Sequence, residues 1–528
     1  MTCPSTPGSS QGNEPSPTEK PMTTDRGMTR RRALGMLGAG TAALPFPLAC
    51  SGLRAVRDPQ PEDTPVHYAT LATMARKIRN GEISSVALTK HMLDRISTVD
   101  RTLKSYQLVT AESALAEAAE RDRETAKGRY RGPLHGIPIG IKDLLYTKGV
   151  PTLAGMKNLS DFLPEYDATV VEKLRGSGAV SLGKLALCEG AWAPYHPDFN
   201  VPVNPWDPTK WSGVSSSGSG VATAAGLCFG SIGTDTGGSI RYPSAANGCV
   251  GLKPTFGRVS RHGVFALAES MDHIGPMTRS VEDAAILFEA MAGFDPKDGT
   301  SLDVPLPDVT GTLNDGVKDL RLGLDRRYVT EGVDPEVTRA VLEAVKILEN
   351  LGARLVDVKM PDNMNPPRVW YNIGAVEAFV ANKSLYPSKA DGFGPGFRSV
   401  LEYGRRVSGA QYAEAHRTRN EVATRVNNVL SKVDCLICPS MSNPPRAASR
   451  DPRDQTAEEW ARLNERDDYT KPYNFCGAPT LSVPSGFSKD GLPLSVQFVG
   501  SRLHEERICR AGHAYEQATE WHRRHPDV

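Results

Sequence analysis

Two serine- and glycine-rich stretches hold most of the side chains that could do chemistry in this 528-residue chain. The first is Trp211-Ser212-Gly213-Val214-Ser215-Ser216-Ser217-Gly218-Ser219-Gly220; the second is Gly233-Thr234-Asp235-Thr236-Gly237-Gly238-Ser239-Ile240-Arg241. Clusters of this composition are most often flexible turns. Hydrolysis of an amide, however, needs an activated nucleophile, donors aimed at the tetrahedral oxyanion and a proton for the leaving amine. Thr236-Gly237-Gly238-Ser239 can supply the first two. Its glycines lack Cβ atoms, so a carbonyl can approach the backbone N–H groups, and Ser239 offers a hydroxyl beside them. Phosphate binding is the rival reading, but neither G-x-x-x-x-G-K-[ST] nor G-x-G-x-x-G after a strand occurs. No G-x-S-x-G elbow surrounds Ser239, because Arg241 stands where the second glycine would be. None of the eleven histidines has a local context that marks a Ser-His-Asp arrangement, although composition leaves one open.

The elements around these stretches alternate between helix and strand from about residue 63 to 527, which indicates an α/β protein. The small residues of 221–227 suit a helix packed tightly on a sheet. Ser84 and Ser85 can cap an amphipathic helix with Val86, Leu88, Met92, Leu93 and Ile96 on its apolar face. Residues 111–127 read as an alanine-rich, charged surface helix. Residues 136–142 read as a strand, Asp167 as the cap of a helix through Leu174, and 179–182 as a return to the sheet. Ser280 starts a helix through Met291. A long amphipathic helix over 334–351 lies between strands near 319–324 and 354–359. Later strands are expected at 433–438, 480–484 and 493–499. Residues 361–430 are more helical and polar and suit an insertion into a single domain spanning 61–528. No repeat of 20–50 residues is visible.

Taken together, these residues resemble the amidase signature family. The resemblance runs from Gly213-Val214-Ser215-Ser216-Ser217-Gly218 through Gly233 to Pro243 and into Gly251-Leu252-Lys253-Pro254-Thr255-Phe256-Gly257. Upstream, Gly136-Ile137-Pro138-Ile139-Gly140-Ile141-Lys142-Asp143 is similar to the family's lysine strand. Gly477 to Pro484 and Gly491 to Gln497 are similar to its C-terminal sheet. In all it covers about residues 70–520. It implies the amidase signature fold, a central mixed β-sheet flanked by helices on both sides. It also implies a serine amidase that works through an acyl-enzyme. Ser239 would be the nucleophile, Ser215 the bridging serine after a cis peptide bond, and Lys142 the base. Thr236, Gly237, Gly238 and Ser239 would form the oxyanion hole. Ser216 would orient the lysine amine, and Asp235 and Arg241 would be a supporting ion pair. Val214 departs from the glycine that many relatives carry there. An ordinary lysine, with a pKa near 10.4, is a poor base at neutral pH, but burial away from carboxylates lowers it.

Bulk properties limit the alternatives. With 62 basic and 61 acidic residues the net charge is +1, which argues against a dedicated nucleic-acid partner. Nine cysteines without regular spacing do not make a disulfide framework. Cys435 and Cys438 form the one C-x-x-C, on a strand that points them to opposite faces, with no second pair at zinc spacing. Neither metal nor cofactor is expected. Residues 1–27 suit a disordered tail. From Met28 a basic Arg30-Arg31-Arg32 precedes a weakly apolar run, the pattern of a twin-arginine export signal. It ends at Leu48-Ala49-Cys50, where a lipid anchor could attach, so a periplasmic or cell-envelope location is expected. The substrate would be a small or aryl amide. The alternatives are a carbamate, ester or oligoamide substrate, the amide-cleaving role found in glutamyl-tRNA amidotransferase, or a non-catalytic scaffold. Pocket walls are expected from 143–160, 187–205 and 361–430. Trp192, Tyr195, Phe199 and Trp206 make the middle segment aromatic, which suits an aromatic substrate group or ordinary packing.

Overall fold

The computed structural model describes residues 64–318, 320–448 and 469–528. The expected tail, the export signal and Cys50 lie outside the described residues. Among the described residues eleven strands form one sheet: β1 (Tyr106–Val109), β2 (Pro138–Lys142), β3 (Val180–Leu185), β4 (Gly230–Asp235), β5 (Val250–Lys253), β6 (His273–Thr278), β7 (Arg321–Leu324), β8 (Arg354–Asp357), β9 (Cys435–Pro439), β10 (Thr480–Phe487) and β11 (Pro493–Val499). Their order is β1-β3-β2-β4-β6-β5-β10-β11-β9-β7-β8. β2 lies parallel to both β3 and β4, and β7 lies parallel to β8 and β9, while β10 and β11 pair antiparallel. The sheet is therefore mixed, and helices cover both faces. β2, β3 and β4 are buried along their whole lengths. Their small and apolar residues are what a strand enclosed on both faces requires.

Two features of this layout place the chemistry. The register of β2 with β4 sets Ile141 opposite Ile232, so both strands deliver their carboxyl ends, Lys142 and Asp235, to one edge of the layer. Functional groups of open α/β sheets gather at such carboxyl ends. The helix Ser217–Ala224 then presses on the sheet more closely than any side chain would allow. A Cβ on Gly218 would lie 2.4 Å from the Ser105 carbonyl oxygen and 2.5 Å from that of Ala186.

Several helix starts follow their caps. Ser84 accepts from Ala87 N–H at 3.0 Å, and Ser280 from Asp283 N–H at 3.2 Å. Asp334 accepts from Glu336 N–H at 2.7 Å, with Pro335 in the first turn. Asp167 is a correction. The helix is Thr169–Gly176 with Ala168 at its cap position, and Asp167 instead accepts from Lys148 N–H at 2.6 Å and pairs with Arg175. A carboxylate one residue too early finds a guanidinium rather than the helix N–H groups. Residues 361–430 hold three main helices, Val369–Ala381, Pro395–Arg406 and Gly409–Leu430, whose apolar faces join the main core. No helix among the described residues is long and apolar enough to cross a membrane.

Candidate active site

Lys142 ends β2 with its side chain wholly buried. Its Nζ lies 2.9 Å from Ser215 Oγ, 2.9 Å from Ser216 Oγ and 2.7 Å from Thr234 Oγ1. The three hydroxyls are not equivalent. Ser216 spends its proton on the Thr234 carbonyl at 3.1 Å and accepts from Thr234 N–H at 3.2 Å. It can therefore only accept from Lys142, whereas Ser215 is left able to donate. The Val214–Ser215 peptide is cis. Among the described residues no carboxylate pairs with Lys142, and burial lowers its pKa to about 7, with Cys188, Asp235 and Asp272 opposing that fall weakly from a distance.

The second stretch leaves β4 and turns sharply. Asp235 is fully buried and accepts from Arg241 Nε at 2.9 Å and Nη2 at 2.8 Å, from Asn474 Nδ2 at 2.8 Å, and from the N–H groups of Gly238 at 2.9 Å and Ile240 at 3.1 Å. Burial alone would raise its pKa, but the Arg241 charge and these hydrogen bonds overcome it and hold the carboxyl well below the usual range. Asp235 and Arg241 thus form an ion pair that folds the loop back on itself. One consequence narrows the expected donor set: the Gly238 N–H points at Asp235 and not at open space. The N–H groups of Gly237 and Ser239 make no hydrogen bond among the described residues. Loop carbonyls are held too. Trp370 Nε1 donates to Thr236 O at 2.9 Å, Thr470 Oγ1 to Gly237 O at 2.7 Å, and Ser216 N–H to Ser239 O at 3.3 Å.

Ser239, Gly237 and Val214 line a narrow cavity of about 20 Å³ with Trp192, Tyr242, Trp370 and Lys471. That is room for about one water. A larger cavity of about 340 Å³ shares Thr236 and Leu267 with it and reaches Thr234, with Arg261, Asp272 and Asp298 among its polar walls. Of the expected aromatic segment only Trp192 reaches the cavity at Ser239. Tyr195 donates to Ser217 Oγ at 2.6 Å, and Trp206 donates to the Asn247 carbonyl at 2.8 Å and packs on Phe487. Sequence reasoning missed Thr234, Trp370, Thr470, Lys471 and Asn474. Thr234 sits inside the second stretch and could have been found there; the others come from distant helices and loops with no local pattern. Among the described residues no group of three or more His, Cys, Asp or Glu is placed to hold a metal ion. The seven cysteines among them, Cys435 and Cys438 included, are buried, and none forms a disulfide among the described residues.

A family model described as Amidase matches residues 87–509, and the chain belongs to this family, the amidase signature enzymes. It is an amidase, a hydrolase of carbon–nitrogen amide bonds. It is 44% identical over 472 residues to "Putative amidase AmiD" of Mycobacterium tuberculosis, covering 89% of this chain and 98% of that one. A second relative, from a Geobacter species, is the A component of glutamyl-tRNA(Gln) amidotransferase, 39% identical over 480 residues and covering 86% of this chain and 98% of its own. Among solved structures, the peptide amidase of Stenotrophomonas maltophilia superposes with a TM-score of 0.74 at 31% identity, over 86% of this chain and 98% of that one.

Proposed function

We propose that this amidase works through Ser239, Ser215 and Lys142, and the observation that carries the proposal is the buried, carboxylate-free Lys142 amine bonded to Ser215. Neutral Lys142 accepts the Ser215 proton while Ser215 takes that of Ser239, whose Oγ attacks the amide carbon. The oxyanion is met by the N–H groups of Gly237 and Ser239, with Thr236 beside them. The proton returns along the same path to the leaving nitrogen. An acyl-Ser239 ester remains, and water releases the acid by the reverse relay. Ser216 orients the amine, and the Asp235–Arg241 pair shapes the loop.

The substrate reading is a small amide with an apolar or aromatic group. Trp192, Tyr242 and Trp370 beside Ser239 support it. Among the described residues the buried Trp192 Nε1–H has no hydrogen-bond partner, which favours a substrate that brings an acceptor to it. Identity to the amidotransferase component favours glutamine as the second reading. A panel of peptide amides, anilides, aryl carbamates, esters and glutamine, assayed with the full chain and with Ser239→Ala, tests both. Wild-type turnover should fall at least about a thousandfold in the variant. Turnover that survives in Ser239→Ala would sink the serine mechanism, and turnover of glutamine alone would select the second reading.

A further inference from the structure

The indole of Trp370 lies directly on the loop that carries the proposed oxyanion donors. Its Nε1–H donates to Thr236 O at 2.9 Å, and a Cβ on Gly237 would meet the indole Nε1 and Cε2 at 2.8 Å. The Thr236–Gly237 peptide is trans, so its C=O and N–H point in opposite directions. An indole that holds the oxygen therefore also sets where the Gly237 N–H points. Donation to the carbonyl further polarises the peptide and strengthens that N–H as a donor. The next N–H along, that of Gly238, is spent on Asp235. The donors of Gly237 and Ser239 flank the one that is spent, so the aim of Gly237 matters directly.

The indole itself is firmly placed. The Trp192 ring lies 4.7 Å from it centre to centre, and Lys471 Nζ sits 5.5 Å over its ring. Its helix, Val369–Ala381, is tied down by Glu377, which accepts from Ser270 N–H at 2.9 Å and from the Tyr412 hydroxyl at 2.8 Å. We infer that Trp370 is a positioning residue for the oxyanion hole, acting through the Thr236 carbonyl to aim the Gly237 N–H at the reacting oxygen. The inference rests on the serine mechanism proposed above.

A fluorophosphonate tests it without knowledge of the natural substrate. Ser239 Oγ forms the bond to phosphorus, the P–F bond breaks, fluoride leaves, and the serine proton passes through Ser215 to Lys142. Charge develops on the phosphoryl oxygen, where the loop donors act. Two replacements remove the indole N–H: Trp370→Phe, and substitution of Trp370 by 3-benzothienylalanine, which keeps the ring shape. The maximal labelling rate of Ser239 should fall about tenfold in both, with KI within about twofold. Rates unchanged from wild type in the benzothienyl protein would overturn the inference even if the phenylalanine variant misfolds. So would a loss confined to KI, which would make Trp370 only a wall. A wild-type chain that takes no label on Ser239 would instead refute the underlying mechanism.

Discussion

Lys142 is poised by what does not surround it. An ammonium buried here, with hydroxyl hydrogen bonds but no carboxylate paired to it among the described residues, recovers only part of its lost hydration, so the neutral amine is favoured and its pKa falls to about 7. The proposed base is thus available near neutrality and lost in acid. The pH profile of kcat/KM should show an acid limb with an apparent pKa near 7, falling tenfold per unit below it. Lys253 is also buried and held to about 7, by burial and by the Arg241 charge, but among the described residues it donates only to the carbonyls of Pro254 and Ala478. Lys253→Met should therefore keep the limb if it folds. A limb that disappears in Lys253→Met and persists in wild type at another pH would move the base away from Lys142. The same shift has a stability cost. Because the folded value lies below the ordinary 10.5, the unfolded chain holds a proton between pH 7 and 10.5 that the folded chain has released. Stability therefore rises with pH through that window.

The helices between β8 and β9 supply one wall of the active site, and a single carboxylate anchors one of them. Glu189, buried beside Trp192, accepts from Gly394 N–H at 3.0 and 3.1 Å with its two oxygens, at the cap of the helix Pro395–Arg406. Burial raises its pKa to about 8, against the pull of this hydrogen bond and of Arg398. Gly190 beside it leaves room for Phe397 of the same helix, since a Cβ there would lie 2.4 Å from the ring. Glu189→Ala leaves the Gly394 N–H buried and unpaired, and should cost about 1–3 kcal/mol in denaturant unfolding. Hydrogen exchange should quicken first in 394–406. A variant as stable as wild type would show that the apolar contacts alone seat this helix.

Across the whole molecule, the loop of Ser239 is held by residues far from it in the chain, Trp370 from one helix and Thr470 and Asn474 from the segment before β10. Arg241 donates to Asp235, to Asn474 Oδ1 at 2.6 Å and to the Thr470 carbonyl at 2.9 Å, and it is wholly buried. One charged centre thus joins β4, the loop and the segment before β10. Removing one partner strands the other charge in the core. Arg241→Met should cost about 3–5 kcal/mol, while a double replacement of Arg241 and Asp235 by apolar residues should lose less than Arg241→Met alone. Equilibrium unfolding in urea compares them, and a double variant less stable than the single would show that the hydrogen bonds to Gly238 and Ile240 outweigh the buried charge.

Much of the site was legible in the chain. Lys142, Ser215, Ser216 and Ser239 lie in short ordered patterns that carry the family resemblance, and the alternation of helix and strand signals pointed to an α/β protein, because backbone period and turn chemistry are local properties; the mixed sheet was implied by the resemblance. Asp167 shows the limit of that reading: a capping residue type stood near a helix start, and a nearby arginine took its carboxylate. The order of the eleven strands, the diversion of the Gly238 N–H to Asp235, and the arrival of Trp370 from more than a hundred positions away at the Thr236 carbonyl were decided only by tertiary structure. Each is a competition among distant partners for one donor or one surface, and its outcome depends on which groups the packed core brings within about 3 Å of each other. Spacing along the chain carries no record of that.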